Sequence, residues 1–326
     1  MTTWLVTGGA GYIGAHVVAA LRAAGTPVVV LDDLSTGVRE RLPADVQLVV
    51  GSIRDRDLVR RALVDHGVTG VMHLAARKQV AESVAEPLLY YADNVDGLLS
   101  VLEGCRAAGV RRFVFTSSAA VYGAPDVDLV TEDTPCAPVS PYGETKLIGE
   151  WLVRACATWS LAATSLRYFN VAGAATPALV DRGAANLVPL VFQALIAGRR
   201  PAVFGTDLPT PDGTCVRDYV HVADIADAHL AAAAALEAGA PGATYNIGRG
   251  QGASVREVLT VVEEVTGLDT TADDLPRRAG DPARVVASAE LARSELGFTA
   301  TRDLHETVAS GWAGVTAMPA PGAGPA

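Results

Sequence analysis

A glycine-rich turn places the tightest constraint on this chain. Trp4 to Thr7 is a strand-like run, and it leads directly into Gly8-Gly9-Ala10-Gly11-Tyr12-Ile13-Gly14, a G-x-x-G-x-x-G spacing that opens a helical stretch. Glycines so spaced let the backbone turn and bring N–H groups close to a pyrophosphate. They also let the helix pack on the strand, while its dipole favours the negative charge. A second strand, Val28 to Leu31, ends at Asp32, 18 residues beyond Gly14. A carboxylate there can accept from both hydroxyls of an adenosine ribose. Asp32 also repels a 2'-phosphate, and no arginine follows until Arg39. The expected cofactor is therefore NAD rather than NADP.

The alternation continues through Gln47 to Val50, Gly70 to Leu74 and Phe113 to Thr116, with amphipathic stretches between. Such βαβ alternation predicts an α/β fold with a doubly wound, parallel Rossmann sheet. Residues 1–170 are expected to form the NAD-binding domain. Residues 171–314 should form a smaller, mixed α/β substrate domain, some segments of which return to the first, and 315–326 a flexible tail rich in Ala, Pro and Gly. The 326 residues carry a net charge of −10, which excludes a general basic field for nucleic acid or anionic membrane. No apolar run is long enough for a transmembrane helix, and no signal peptide opens the chain, so a cytoplasmic enzyme is expected. The four cysteines (Cys105, Cys136, Cys156, Cys215) show no C-x-x-C spacing and are read as small buried hydrophobes, with no metal expected.

A second constellation lies downstream. Ser117-Ser118 follow the strand Phe113 to Thr116, and Tyr142-Gly143-Glu144-Thr145-Lys146 opens a helix after Ser140-Pro141. Tyr142 and Lys146 are i and i+4 and share a face. A nearby ammonium is expected to lower the phenol's pKa and make Tyr142 a general base, with Ser118 sharing the proton of the reacting hydroxyl. Of 26 basic residues only Lys78 and Lys146 are lysines, which suggests that these positions need a compact ammonium.

These residues resemble the extended short-chain dehydrogenase/reductases and, within them, the UDP-glucose 4-epimerases. The resemblance runs from about Thr3 to Phe298. It is carried by the glycine turn, Ser118-Ala119-Ala120-Val121-Tyr122-Gly123, Ser140-Pro141-Tyr142-Gly143, Leu166-Arg167-Tyr168-Phe169-Asn170, Phe204 to Asp207, Val216-Arg217-Asp218-Tyr219-Val220-His221-Val222, and Arg277-Arg278-Ala279-Gly280-Asp281. It implies a retained NAD that oxidises sugar carbon 4, rotation of the 4-keto sugar, and return of the hydride to its other face. The implied catalytic set is Ser118, Tyr142 and Lys146. NAD contacts are implied for Gly8, Gly11, Tyr12, Ile13, Gly14, Asp32, Ser52, Ile53, Leu74, Ala75, Ala76, Lys78, Asp93, Tyr142, Lys146, Tyr168 and Phe169. UDP-hexose contacts are implied for Ser118, Tyr142, Asn170, Asn186, Leu187, Phe204, Arg217, Arg278, Asp281 and Val285. A homodimer is a further family expectation.

The chain also departs from the family pattern. Ser52 stands where an aspartate usually contacts adenine, Asp93 precedes Asn94 where two asparagines are usual, and Ala174 to Ala185 is shorter and more apolar. Val285 occupies a position where some epimerases carry a tyrosine; a smaller wall implies room for UDP-N-acetylglucosamine. His73 and His221 are read as structural. Related 4,6-dehydratases carry an Asp-Glu pair beside the catalytic serine or threonine, where this chain has Ala119 and Ala120. Another nucleotide-sugar epimerase, decarboxylase or dehydratase of the superfamily, and an NAD sensor without chemistry, are the alternatives.

Overall fold

A computed structural model describes residues 2–183, 186–278 and 280–317. Seven strands form the central sheet: β1 (Trp4–Thr7), β2 (Val28–Asp32), β3 (Gln47–Val50), β4 (Gly70–His73), β5 (Arg112–Ser118), β6 (Ala162–Tyr168) and, from far along the chain, β10 (Thr244–Ile247). All pair in parallel, in the order β10-β6-β5-β4-β1-β2-β3. The order reverses between β1 and β4, which opens a crevice at the carboxyl ends of the strands.

The central strands are apolar on both sides, so alternate residues serve two cores. Val6, Val30, Met72, Val114, Leu166 and Ile247 pack against α1 (Tyr12–Ala23) and α8 (Val222–Glu237). Leu5, Leu31, Val71, Phe113 and Phe115 face α2 (Arg56–Asp65), α5 (Gly97–Ala108) and α6 (Pro141–Ala155). The alanine run Ala231 to Ala235 lies in α8, which packs on α1 as its small side chains suggest. Between β4 and α5, α3 (Val80–Ala85) and α4 (Pro87–Tyr90) lead into a π-helical turn, Tyr91–Asp96.

The remaining strands are short: β7 (Asn170–Ala172), β8 (Ala202–Phe204), β9 (Val216–His221), β11 (Gly252–Ser254), β12 (Asp273–Leu275) and β13 (Arg284–Val285). β9 pairs antiparallel with β11 and in parallel with β13 and β7, while β8 pairs with β12. With α7 (Leu187–Ile196), α9 (Val255–Thr266) and α11 (Leu304–Thr316) they enclose a separate core around Phe192, Tyr219, Leu259 and Val308. α10 (Glu290–Leu296) lies against α8 and β10.

Two expectations need correction. α11 runs through Thr316, because its Asp303–Glu306 capping box nucleates a helix that buries Val308, so Val315 and Thr316 are helical rather than tail. The rest of that tail, residues 318–326, lies outside the described residues, as do Ala184, Ala185 and Ala279. Of the cysteines only Cys105 and Cys215 are buried; Cys136 and Cys156 are partly exposed. Among the described residues, no helix is long and apolar enough to cross a membrane.

Candidate active site

The glycine turn closes over the end of β1. Gly8 has φ +70°, and a Cβ there would lie 2.6 Å from the Ala75 nitrogen; one on Gly14 would lie 2.1 Å from the Gly8 carbonyl oxygen. Only glycine lets the turn lie this flat on α1 and on the segment after β4. Gly11 caps α1 without a side-chain hydrogen bond, so the first N–H groups of Tyr12, Ile13 and Gly14 have no side-chain acceptor. Asp32, buried at the end of β2, accepts from the backbone nitrogens of Ala10 (2.9 Å) and Leu34 (2.8 Å). Burial pushes its carboxyl up while those two N–H groups oppose the shift. This donor set fits a dinucleotide: helix N–H groups for a diphosphate, and unused carboxylate lone pairs for a ribose diol.

The other predicted cofactor contacts frame the same turn. Leu74, Ala75 and Ala76 follow β4, held by Leu74 N to Thr7 O and Ala75 N to Thr7 Oγ1. Lys78 is exposed, its Nζ 5.9 Å from the Tyr12 ring centre, and the Tyr12 hydroxyl donates to Gly173 O. Ile53 is part of the sheet core, and Ser52 Oγ accepts from Arg54 N at 3.2 Å. Asp93 is engaged by Arg77 Nε (2.6 Å) and Arg54 Nη1 (3.4 Å), so its carboxylate is committed to arginines. Its neighbour Asn94, not among the expected site residues, accepts from Arg77 N and donates to Arg77 O and Thr145 Oγ1. Asn94 thereby ties the segment after β4 to α6.

Ser118 ends β5, and Ser140 starts α6 by accepting from Gly143 N with Pro141 in the first turn. Tyr142 and Lys146 thus face the end of β5. Lys146 is buried, donates to Thr116 O at 2.8 Å, and has its Nζ 5.3 Å from the Phe115 ring centre and 6.0 Å from that of Tyr142. Burial brings its ammonium down to about 8, with Glu150 opposing. The lowered Tyr142 phenol expected from the sequence does not appear: burial raises it, and the neighbouring Ser118 hydroxyl only partly offsets the rise. The ammonium is turned toward Thr116 O, and desolvation of the phenol prevails.

Tyr168 pairs with Ser118 across β5 and β6, and its hydroxyl hydrogen-bonds the buried His229 at 2.6 Å. Phe169 and Val285 share a buried cluster with Val121, Tyr122, Leu147 and Ala287; Val285 is only 6% exposed. Through β13, Val285 pairs with Arg217. The Arg278 guanidinium stacks 4.9 Å from the Phe204 ring centre and pairs with Asp281 at 3.0 Å, while Arg217 approaches Asp281 at 3.8 Å. Arg217, Arg278, Asp281 and Phe204 therefore converge. Asp218, close in sequence, is not their partner: it is buried and accepts from the nitrogens of Arg249, Gly250 and Ala287. Asn170 lies on β7, and Asn186 caps α7 just before Leu187 without a side-chain bond. His73 and His221 are structural as read. His73 hydrogen-bonds Thr7 Oγ1, and His221 accepts from Ala223 N at the start of α8.

Residues 4–248 match the model of the NAD dependent epimerase/dehydratase family. This chain belongs to that family. Among curated relatives, the UDP-glucose 4-epimerase of Azospirillum brasilense is 49% identical over 310 residues, covering 92% of this chain and 87% of that protein. That of Corynebacterium glutamicum is 46% identical, covering 96% of each. Among solved structures, a UDP-glucose 4-epimerase from Stenotrophomonas with bound NAD and formylated UDP-arabinopyranose superposes with a TM-score of 0.93 at 38% identity, covering 97% of this chain and 98% of that one. The UDP-Glc/GlcNAc 4-epimerase of Campylobacter jejuni reaches 0.85 at 33% identity, covering 97% and 99%.

Proposed function

We propose that this chain is an NAD-dependent isomerase that interconverts UDP-glucose and UDP-galactose. The observation that carries this reading is one crevice edged by the glycine turn, Asp32, and the Ser118–Tyr142–Lys146 set. When bound, NAD supplies a hydride acceptor that takes hydrogen from sugar carbon 4 and returns it to the other face. The protein's part is proton handling and grip. Tyr142, ionised under the positive charge that the nicotinamide of bound NAD would add to that of Lys146, accepts the proton of the carbon-4 hydroxyl and returns it on the reverse step, and Ser118, whose hydroxyl lies beside the phenol, shares it. Lys146 spends one N–H on Thr116 O and keeps two for a ribose and the reacting phenol. Arg217 and Arg278 are the local cations that an acidic protein needs to hold a diphosphate, with Asp281 between them. Ala119 and Ala120, in the turn after Ser118, offer no acid or base for dehydration.

The decisive experiment is incubation of the purified protein with UDP-galactose and no added NAD, followed by NMR. UDP-glucose formation without NADH release is expected. Stoichiometric NADH with a keto or uronic acid product would replace the reading with a dehydrogenase. The same proposal includes a cytoplasmic homodimer. Exposed Val84 (63%), Leu88 (81%) and Trp151 (51%) on the neighbouring helices α3, α4 and α6 support it, and sedimentation velocity tests the dimer.

A further inference from the structure

Beneath the catalytic face of α6 lies a charge pair that the chemistry above does not use. Glu150 follows Lys146 by one helical turn, as Lys146 follows Tyr142, so the three side chains fall on one stripe. Its carboxylate is buried and is gripped by Arg167 of β6, Nε to Oε1 at 2.8 Å and Nη2 to Oε2 at 2.6 Å; Ser117, next to Ser118, also donates to it. Arg167 donates at 2.7 Å to the Tyr122 hydroxyl, which in turn donates to Asn246 of β10 at 2.7 Å. The network joins α6, the end of β5 and two further strands. Breaking a pair buried this deeply leaves a stranded charge, so its geometry is well defined.

We propose that Glu150 is a positioning residue for the reaction: fixed by Arg167, bonded by Ser117 at the end of β5 and one helical turn from Lys146, its carboxylate balances the Lys146 charge and holds the Tyr142–Lys146 stripe against that strand. This rests on the assignment of Tyr142 and Lys146 made above. Around Lys146 the titratable and charged groups are Tyr142 and Glu150 on its own helix, His73 on β4, and Arg167 and Tyr168 on β6. His73 is neutral, held at about 3 by burial and by the Lys146 charge. The groups of α3, α4 and the π turn are otherwise engaged, Glu82 and Asp93 with Arg77, Tyr90 with Glu82, and Tyr91 with Glu144. Glu150 is thus the carboxylate that opposes the desolvation of Lys146.

Because Lys78 and Lys146 are the only lysines, 13C labelling at lysine Cε gives two signals, and Lys78→Arg identifies which is which. In the NAD-loaded protein the Lys146 signal should titrate below the ordinary lysine range. In Glu150→Gln the midpoint should fall by roughly one unit, the lower end for losing an adjacent opposite charge. The alkaline fall of kcat should move with it, and KM for UDP-galactose should stay within about twofold, as expected when only turnover is touched. Glu150→Asp, which keeps the charge, should restore the midpoint. If the stranded Arg167 prevents Glu150→Gln from folding, the double variant Glu150→Gln, Arg167→Gln removes both charges and should show a smaller shift in the same direction. An unshifted midpoint in whichever of these variants folds, or an equal fall in Glu150→Asp, overturns the role of Glu150. An inactive wild type instead overturns the catalytic assignment on which it rests.

Discussion

Gly149→Ala tests how finely the catalytic helix is seated. A Cβ at Gly149 would lie 2.2 Å from Phe115 Cζ and 2.9–3.0 Å from the two Cε atoms. Carbon atoms rest at about 3.5–4.0 Å, so more than an ångström of separation must be found. Phe115 cannot supply it, being 2% exposed and stacked on His73 with ring centres 6.1 Å apart. The helix must therefore rise from β5, carrying Lys146 from Thr116 O and Tyr142 from Ser118. Overpacking costs about 1–3 kcal/mol, of which better helix propensity returns about 1, so the variant should fold with a modestly lower melting temperature. A misplacement of this size at the reacting groups should lower kcat roughly 100-fold. KM should change little, because Arg217 and Arg278 lie on other elements. The control is Gly104→Ala in α5, whose added methyl presses on the Leu63 and Val59 methyl groups at 3.0 Å and meets the Arg60 nitrogen at an ordinary 3.9 Å; it should lose some stability and keep its kcat. A Gly149→Ala enzyme that folds and turns over within about threefold of wild type would refute the seating argument.

Tyr142→Phe should cut kcat by roughly 10²–10⁴ while leaving UDP affinity, read by calorimetry, nearly unchanged. Asp32→Ala removes the acceptor at the end of β2, so NAD should be lost on gel filtration; retention of a full equivalent would remove Asp32 from the cofactor site. UDP-N-acetylglucosamine should be epimerised as well, and Val285→Tyr should lower kcat/KM for it more than for UDP-glucose. An unchanged ratio of the two would mean that Val285, buried beside Phe169, is wall packing and not a gate.

The first half of the fold is readable because its rules are local. Each strand from Trp4 to Thr116 is a β-branched run beside a turn signal, and the glycine turn and Asp32 are fixed by spacing alone. The return of α8 and β10 to the first sheet is non-local, and nothing in Thr244–Ile247 names β6 as its neighbour. Ser118, Tyr142 and Lys146 are legible as a set, but the direction of the Tyr142 shift depends on burial that periodicity does not measure. Glu150 and Arg167 escape notice for a related reason: on an amphipathic helix a glutamate reads as solvent-facing until a buried guanidinium is found opposite. Asp93 looks like a cofactor contact by position, and only the approach of Arg77 and Arg54 shows where its charge is spent.

The edge strand β10 also governs how this protein can be made. β6 ends at Tyr168 and its neighbour ends at Ile247, so 79 residues (247 − 168) must emerge before the sheet is complete. At about 5–20 residues per second the wait is on the order of 4–16 s, during which the outer edge of β6 presents unpaired N–H and C=O groups. A fragment that stops near residue 170 would keep that edge permanently and should self-associate rather than serve as a free-standing dinucleotide cassette. Nascent chains stalled between these two strands are therefore the species for which holdase chaperones would matter most.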